Sequence, residues 1–237
     1  MIELEFRSLS GNEVLTAYPQ GAAEKALPCI IFYHGYTSSK RVYSNFAVAL
    51  AEAGFRVIIP EAEDHGSRFS GDEARRLQRF WPILVNNFHE FPALYRAIVD
   101  EGWLLDGRLG VGGASMGGMT ALGLAANQPE IQGAASLMGS GYLLPLSKTL
   151  FPSPEIPDDL GRWDVEDKLE ALANRPLLLW HGEDDDVVPA ADSRRLQQAL
   201  AQLGRDDLLT CAWQSGVNHR ITPEALDAAV AFFSEHL

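Results

Sequence analysis

The chain has 237 residues, 46% hydrophobic and 22% charged, and a formal net charge of −13. This length and composition predict a single globular domain over residues 1–237 and exclude a disordered chain. The negative charge excludes binding to nucleic acid or to an anionic membrane, because polyanions attract basic patches.

The predicted elements alternate between short apolar strands and helices. The strands IELEFRSL and EVLTAYP open the chain as a hairpin, and the later strands are PCIIFYHG, FRVIIPE, GRLGVGG, GAASLMG, RPLLLWHG and DLLTCAW. Helices are expected over residues 72–101, with Pro82 and Pro92 as breaks or kinks, and from Pro189 and Thr222 onward. The alternation predicts an α/β fold with a mainly parallel central sheet flanked by helices, and ligands bind such sheets at the carboxyl ends of the strands.

Ser115 stands in the sequence GGASMGG, at a predicted turn between a strand and a helix. A serine on such a turn takes a strained backbone conformation, and Gly113 and Gly117 remove the Cβ atoms that would collide there. The pattern predicts an exposed nucleophile, with the N–H of Met116 directed at an oxyanion from the start of the helix. The alternative is a glycine-rich turn without chemistry.

A serine nucleophile needs a general base and an acid that orients the base. His219, in SGVNHRITP, lies between the last strand and the last helix and is the predicted base. The acid is expected in HGEDDDVVP, where spacing alone leaves Asp184, Asp185 and Asp186 open.

Two further loops follow strands and carry polar residues. In FYHGYTSSK, the N–H of Tyr36 is the predicted second oxyanion donor, and His34 is expected to shape the turn. In PEAEDHGSRFSG, His65 is a rival base. His34, His65 and His181 lack the short ligand spacing of a metal site, so we expect neither a metal nor another cofactor.

Together with LLLWHGEDDDVVP and NHRITPEAL, these motifs resemble the α/β-hydrolase superfamily, specifically serine esterases of the prolyl-oligopeptidase and dienelactone-hydrolase-like group. The group's pattern of His-Gly, two residues, Asp, two residues, Val-Pro implies Asp185 as the triad acid. The resemblance also implies Ser115 as nucleophile, His219 as base, and oxyanion N–H groups from Tyr36 and Met116. It implies a serine carboxylesterase that hydrolyses short-chain esters through an acyl-enzyme, with a small-molecule ester as its partner.

Residues 140–168 depart from the alternation of strands and helices and are predicted to form a short cap insertion over the active site. Tyr142 and Leu143 are expected to give an apolar wall to the substrate pocket. The alternative is a surface connection whose apolar side chains pack on the sheet.

Alternative functions are a thioesterase or small peptidase with the same triad, and a non-catalytic binding protein with the hydrolase fold. The acidic N-terminal sequence is unlike a signal peptide, and no apolar run is long enough to span a bilayer. Cys29 and Cys211 are predicted to be buried free thiols, and together these features predict a cytoplasmic protein. No oligomeric state is predicted.

Overall fold

An eight-stranded sheet forms the centre of the computed structural model, which describes residues 1–153 and 155–237. Pro154 of the predicted cap therefore lies outside the described residues. The strands are β1 (Ile2–Leu9), β2 (Asn12–Pro19), β3 (Leu27–Tyr33), β4 (Arg56–Pro60), β5 (Leu104–Ala114), β6 (Ile131–Leu137), β7 (Leu177–Gly182) and β8 (Leu209–Gln214).

The strands lie in the order β1-β2-β4-β3-β5-β6-β7-β8. β1 and β2 form the predicted hairpin, β2 pairs antiparallel with β4, and all other neighbours are parallel. The predicted mainly parallel sheet is therefore confirmed. β4 lies on one side of β3 and β5 lies on the other side. The loops that follow β3 and β5 therefore run in opposite directions and leave a crevice between them, which is where such sheets bind ligands.

Helices cover both faces of the sheet, which is why the strands are apolar on both sides. Packing with α1 and α9 buries one face, and packing with α3 and α4 buries the other. The helices are α1 (Ser44–Glu52), α2 (Glu73–Leu77), α3 (Phe80–Asp100), α4 (Met116–Asn127), α5 (Leu143–Leu146), α6 (Leu160–Trp163), α7 (Leu169–Ala173), α8 (Ala190–Gln202) and α9 (Pro223–His236), with single 3₁₀ turns at Gly66–Arg68, Glu166–Lys168 and Asp206–Leu208.

Of the predicted break or kink at Pro92, the break is wrong, because α3 continues through this residue. A proline inside a helix costs about 3 kcal/mol through its lost hydrogen bond and its ring clash. Phe88 and Phe91, on the turn before it, are buried, and each buried phenylalanine returns about 1.5–3 kcal/mol. Burial of the helix face thus outweighs the local preference. Pro82 lies in the first turn, where a missing N–H removes no intrahelical bond.

The predicted cap, residues 140–168, contains α5, α6 and irregular backbone tied to the rest of the chain by hydrogen bonds. The Trp81 indole N–H on α3 donates to the Leu150 carbonyl at 3.1 Å, and the Ser140 hydroxyl donates to Asp192 Oδ2 on α8 at 2.7 Å. Among the described residues, no helix is both long and apolar enough to span a membrane.

Candidate active site

Ser115 occupies a strained turn between β5 and α4, with φ 57° and ψ −119°. Its N–H donates to the Leu137 carbonyl at 2.8 Å, which fixes the turn against β6. A Cβ at Gly113 would collide with the backbone of Gly117, and a Cβ at Gly117 would collide with the Tyr33 carbonyl. The two glycines therefore allow a turn that holds the Ser115 side chain partly exposed above the sheet.

His219, in the loop between β8 and α9, reaches Ser115 with one ring nitrogen and Asp185 with the other. His219 Nε2 lies 2.8 Å from Ser115 Oγ, and His219 Nδ1 lies 2.7 Å from Asp185 Oδ2. A carboxylate only accepts hydrogen bonds, so the proton of the neutral ring belongs on Nδ1 and Nε2 is free to accept from the serine hydroxyl. The three predicted triad residues are thus brought together, and their catalytic roles stay a prediction.

Asp185 has a buried side chain in the loop after β7, whereas Asp184 and Asp186 are exposed. Its Oδ1 accepts the N–H groups of Val187 and Val188, both at 2.9 Å. Spacing left three aspartates open as the acid. Within the described residues, Asp185 is the one of the three that contacts His219.

The protonation state of Asp185 follows from these contacts. Burial alone would raise the pKa of its carboxyl, but hydrogen bonds from His181, His219 and the Val187 N–H hold that pKa well below its usual range. The carboxylate is therefore ionised at neutral pH, as orienting and stabilising an imidazolium requires.

The two predicted oxyanion donors come from two backbone segments next to the nucleophile. Met116 is the first residue of α4, so its N–H has no acceptor within the helix. Tyr36 follows Gly35, which packs so closely on the elbow that an added Cβ would lie 3.6 Å from Ser115 Cβ. Their use as oxyanion donors stays a prediction.

Two buried histidines hold the backbone on either side of Tyr36. His34 Nδ1 donates to the Gly35 carbonyl at 2.8 Å, which agrees with the turn-shaping role predicted for His34. The Thr37 N–H donates to His65 Nε2 at 2.9 Å. The peptide groups flanking Tyr36 are therefore fixed by imidazoles, a role that the sequence indicated for His34 but not for His65.

His65 does not serve as a rival base in this arrangement. Its Nδ1 donates to the Glu63 carbonyl at 2.8 Å, so both ring nitrogens are occupied by backbone groups. Burial is the largest influence on its pKa, lowering it to about 4. His65 is therefore neutral at pH 7, as acceptance of the Thr37 N–H requires.

A buried ion pair, which no sequence motif indicates, joins the same loop to the segment after β4. Lys40 Nζ donates to Glu61 Oε2 and, at 2.8 Å, to Ser67 Oγ, and the Lys40 N–H donates to Glu61 Oε1 at 2.9 Å. Burial alone would raise the pKa of Glu61, but the neighbouring His34 ring and the hydrogen bonds from Lys40 hold that pKa well below its usual range. The pair ties the Tyr36 loop to the segment after β4.

The structure differs from the predicted apolar wall at Tyr142 and Leu143. Tyr142 is 2% exposed, with the Arg195 guanidinium 3.8 Å from its ring centroid, and Leu143 is wholly buried in the core. Neither side chain is open to a substrate, because both belong to the buried core cluster on the α3 and α4 side of the sheet. The segment instead brings Phe151 beside Tyr36, with ring centroids 5.3 Å apart.

The described residues contain no group of three or more histidine, cysteine, aspartate or glutamate side chains placed to hold a metal ion. Cys29 is buried as predicted, but Cys211, on the edge strand β8, is only half-buried. Both cysteines are free.

Comparisons with known proteins agree with this architecture. The family model of the prolyl oligopeptidase family matches residues 41–237, and that of platelet-activating factor acetylhydrolase, isoform II, matches residues 3–74. The chain is 60% identical to Esterase YjfP of Escherichia coli (strain K12) and 31% identical to YitV of Bacillus subtilis (strain 168), in each case over 100% of both chains.

A solved structure shows the same fold at lower identity. TT1662 from Thermus thermophilus superposes with a TM-score of 0.80 at 23% identity, over 99% of this chain and 98% of that one. With the family match over residues 41–237 and the α/β sheet described above, the chain belongs to the prolyl oligopeptidase family of α/β-hydrolases.

Proposed function

We propose that this chain is a serine carboxylesterase that hydrolyses short-chain carboxylic esters through an acyl-enzyme on Ser115. The observation that carries the proposal is the continuous set of contacts from Ser115 Oγ through His219 to Asp185, at 2.8 Å and 2.7 Å. A neutral imidazole between a hydroxyl and a buried carboxylate is the arrangement that activates a serine as a nucleophile.

In the first half of the reaction, Ser115 Oγ bonds to the ester carbonyl carbon while His219 Nε2 takes its proton. The carbonyl oxygen becomes an oxyanion, which the N–H groups of Tyr36 and Met116 stabilise. When the tetrahedral intermediate collapses, the bond to the alcohol oxygen breaks and His219 gives its proton to that oxygen. The products of this half are the free alcohol and an acyl ester of Ser115.

In the second half, His219 takes a proton from water as the water oxygen bonds to the acyl carbon. The second tetrahedral intermediate uses the same two N–H groups. Its collapse breaks the bond to Ser115 Oγ, which recovers its proton from His219, and the carboxylic acid leaves. The chemistry is completed by protein groups and water, so the proposal requires no cofactor.

Ester hydrolysis, the coarser part of the proposal, is supported by the 60% identity to Esterase YjfP over the full length of both chains. A short acyl group is supported by the aromatic cluster of Tyr36, Phe80 and Phe151, whose ring centroids lie 4.9–5.3 Å apart. The cluster includes the ring of Tyr36, whose N–H is one of the two proposed oxyanion donors, so we place the acyl group against these rings.

The free thiols support the proposed cytoplasmic location. Burial raises the pKa of Cys29 to about 12 and that of Cys211 to about 11, so both stay protonated and unreactive at neutral pH. Unpaired, inert cysteines are typical of proteins of a reducing compartment. The proposed partner is a small-molecule ester, and the charge of −13 disfavours nucleic acids and anionic membranes.

The test is hydrolysis of p-nitrophenyl esters of increasing acyl length by the parent and by Ser115→Ala. We expect activity that peaks at short acyl chains and falls by at least about a thousandfold in the variant, with folding unchanged by circular dichroism. Thioesters and aminoacyl amides assayed beside the esters distinguish the thioesterase and peptidase alternatives. Serine-independent turnover, or a preference for either alternative substrate, contradicts the proposal.

A further inference from the structure

A cavity of about 490 Å³ lies between the N-terminal ends of α1 and α9 and the carboxyl end of β6. Apolar and aromatic side chains provide most of its wall, and the remaining lining side chains in the described chain are neutral. The residues that matter here are Val42, Tyr43, Phe46, Met138, Ile221 and Leu226. This size and lining are typical of a site for a small apolar ligand.

Three connections join the cavity to the candidate active site. Met138 directly follows Leu137, whose carbonyl accepts the Ser115 N–H at 2.8 Å. Ile221 comes two residues after His219. The chain thus passes from two parts of the site straight into the cavity wall.

Gly35 gives the third connection. A Cβ added to it would lie 3.1 Å from the Tyr43 hydroxyl on one side and 3.6 Å from Ser115 Cβ on the other. The cavity residue Tyr43 and the nucleophile therefore both lie beside Gly35.

We propose that this cavity receives the alcohol portion of the ester, and that this portion is a neutral apolar group such as an aryl or alkyl alcohol. The proposal rests on the esterase function proposed above. His219 Nε2 must give its proton to the leaving alcohol oxygen, so the group beyond that oxygen lies beside the His219 loop, whose continuation through Ile221 lines the cavity.

The acyl arm lies on the other side of the reacting carbon, and we assign it to the side that the Tyr36 ring occupies. The rings of Tyr36, Phe80 and Phe151 pack together on the cap side. A narrow acyl side and a cavity on the alcohol side predict an enzyme that accepts large alcohols more readily than long acyl chains. Val42 lies at the cavity rim and is 66% exposed.

The test fills the cavity from its rim with Val42→Trp, a substitution at an exposed position that the fold can accept. Val99→Trp, at an exposed position on α3, is the matched control. Acetate esters with alcohols from ethyl to 2-naphthyl vary the alcohol while the acyl-enzyme stays the same. We expect Val42→Trp to lower kcat/KM for 2-naphthyl acetate by at least about tenfold and for ethyl acetate by less than about twofold.

Pre-steady-state kinetics separate the two arms of the ester. Because the alcohol has left before deacylation, Val42→Trp should slow the release of the first 2-naphthol and leave the hydrolysis rate of the acetyl-enzyme unchanged. If Val42→Trp instead changes how kcat/KM depends on acyl length, from acetyl to hexanoyl esters of ethanol, then the acyl arm occupies the cavity and the proposal is overturned. The proposal is also overturned if Val42→Trp and Val99→Trp show the same ratio of kcat/KM for 2-naphthyl acetate to kcat/KM for ethyl acetate.

Binding of 2-naphthol to Ser115→Ala, measured by calorimetry, tests the cavity without turnover. We expect binding that the added Val42→Trp abolishes and the added Val99→Trp retains, and equal binding in the two double variants contradicts the cavity assignment. Failure of the esterase proposal is a different result, the absence of Ser115-dependent hydrolysis in the parent.

Discussion

His181 Nε2 lies 3.1 Å from Asp185 Oδ2, the same carboxylate oxygen that His219 Nδ1 contacts at 2.7 Å. His181 Nε2 also lies 3.0 Å from the Val188 carbonyl, and because both neighbours are acceptors, this nitrogen carries a proton. His181 Nδ1 lies 2.8 Å from the Ser193 hydroxyl, which anchors the ring to α8. The candidate acid is thus held between two imidazoles, one of which has no contact with the nucleophile.

Removal of His181 should impair catalysis through Asp185. We expect His181→Leu to lower kcat by about ten- to a hundredfold with little change in KM, because Asp185 loses one of the groups that orient it. The acid limb of the pH–rate profile should move to higher pH, since an Oδ2 freed of one donor attracts the His219 proton more strongly. Steady-state kinetics from pH 5 to 9 measure both effects.

His181→Gln is the conservative control, because its amide N–H can still donate to Asp185. It should recover most of kcat and the parent pH profile. If His181→Leu lowers stability but keeps the parent profile and kcat, the residue has only a packing role.

The three adjacent aspartates give a matched set of substitutions. Asp185→Asn should lower kcat by about 10⁴, because an amide N–H facing His219 Nδ1 favours the tautomer that cannot accept the serine proton. Asp184→Asn and Asp186→Asn alter exposed side chains and should change kcat by less than about twofold. Comparable losses in all three variants argue against Asp185 as the acid.

The Lys40–Glu61 pair should contribute strongly to stability. Glu61→Gln leaves the buried Lys40 ammonium with only the half-exposed Glu13 carboxylate, 3.2 Å away, as a counter-charge, and we expect a loss of about 3 kcal/mol in the free energy of unfolding at pH 7. Because the folded pKa of Glu61 lies below its ordinary value of 4.5, the contribution is present above that pH and is lost on further acidification. Urea unfolding followed by tryptophan fluorescence measures the difference.

Glu52→Gln, at an exposed position on α1, is the control for that experiment and should stay within about 0.5 kcal/mol of the parent. A Glu61→Gln variant as stable as the control means that the pair contributes no net free energy.

His65 should make folding sensitive to mild acid. Its folded pKa of about 4 lies below the ordinary 6.5, so the unfolded chain binds a proton first and stability falls as pH falls through 6.5 toward 4. The loss attributable to this group between pH 7.5 and 5 is about 2 kcal/mol. Between pH 7.5 and 5, the free energy of unfolding should fall more steeply with pH in the parent than in His65→Gln. Equal slopes in the two proteins contradict the assignment.

The local part of the site could be predicted from the sequence. The strained turn at Ser115 depends on glycines at fixed distances along the chain, and the alternation of strands and helices places Ser115, Asp185 and His219 at one edge of the sheet. The choice among three aspartates could not be made from spacing, because it depends on which side chain the loop turns inward. The resemblance to the family supplied that choice.

The rest depends on contacts between distant segments or on burial. Lys40 and Glu61 come from separate loops, and neither loop carries a periodic signal of pairing. An apolar run such as Tyr142 and Leu143 has the same composition in a pocket wall and in a core, so only the direction of α5 decides between them. The cavity beside α1 and α9 arises from the packing of three elements, and no single stretch of sequence indicates it.

The most direct test of the account is covalent labelling with a fluorophosphonate probe, followed by mass spectrometry of the intact protein and its peptides. The account predicts one added phosphonyl group per chain, located on Ser115, with no labelling of Ser115→Ala and much slower labelling of Asp185→Asn. Labelling of a different residue, or no labelling of the folded parent, contradicts a catalytic Ser115.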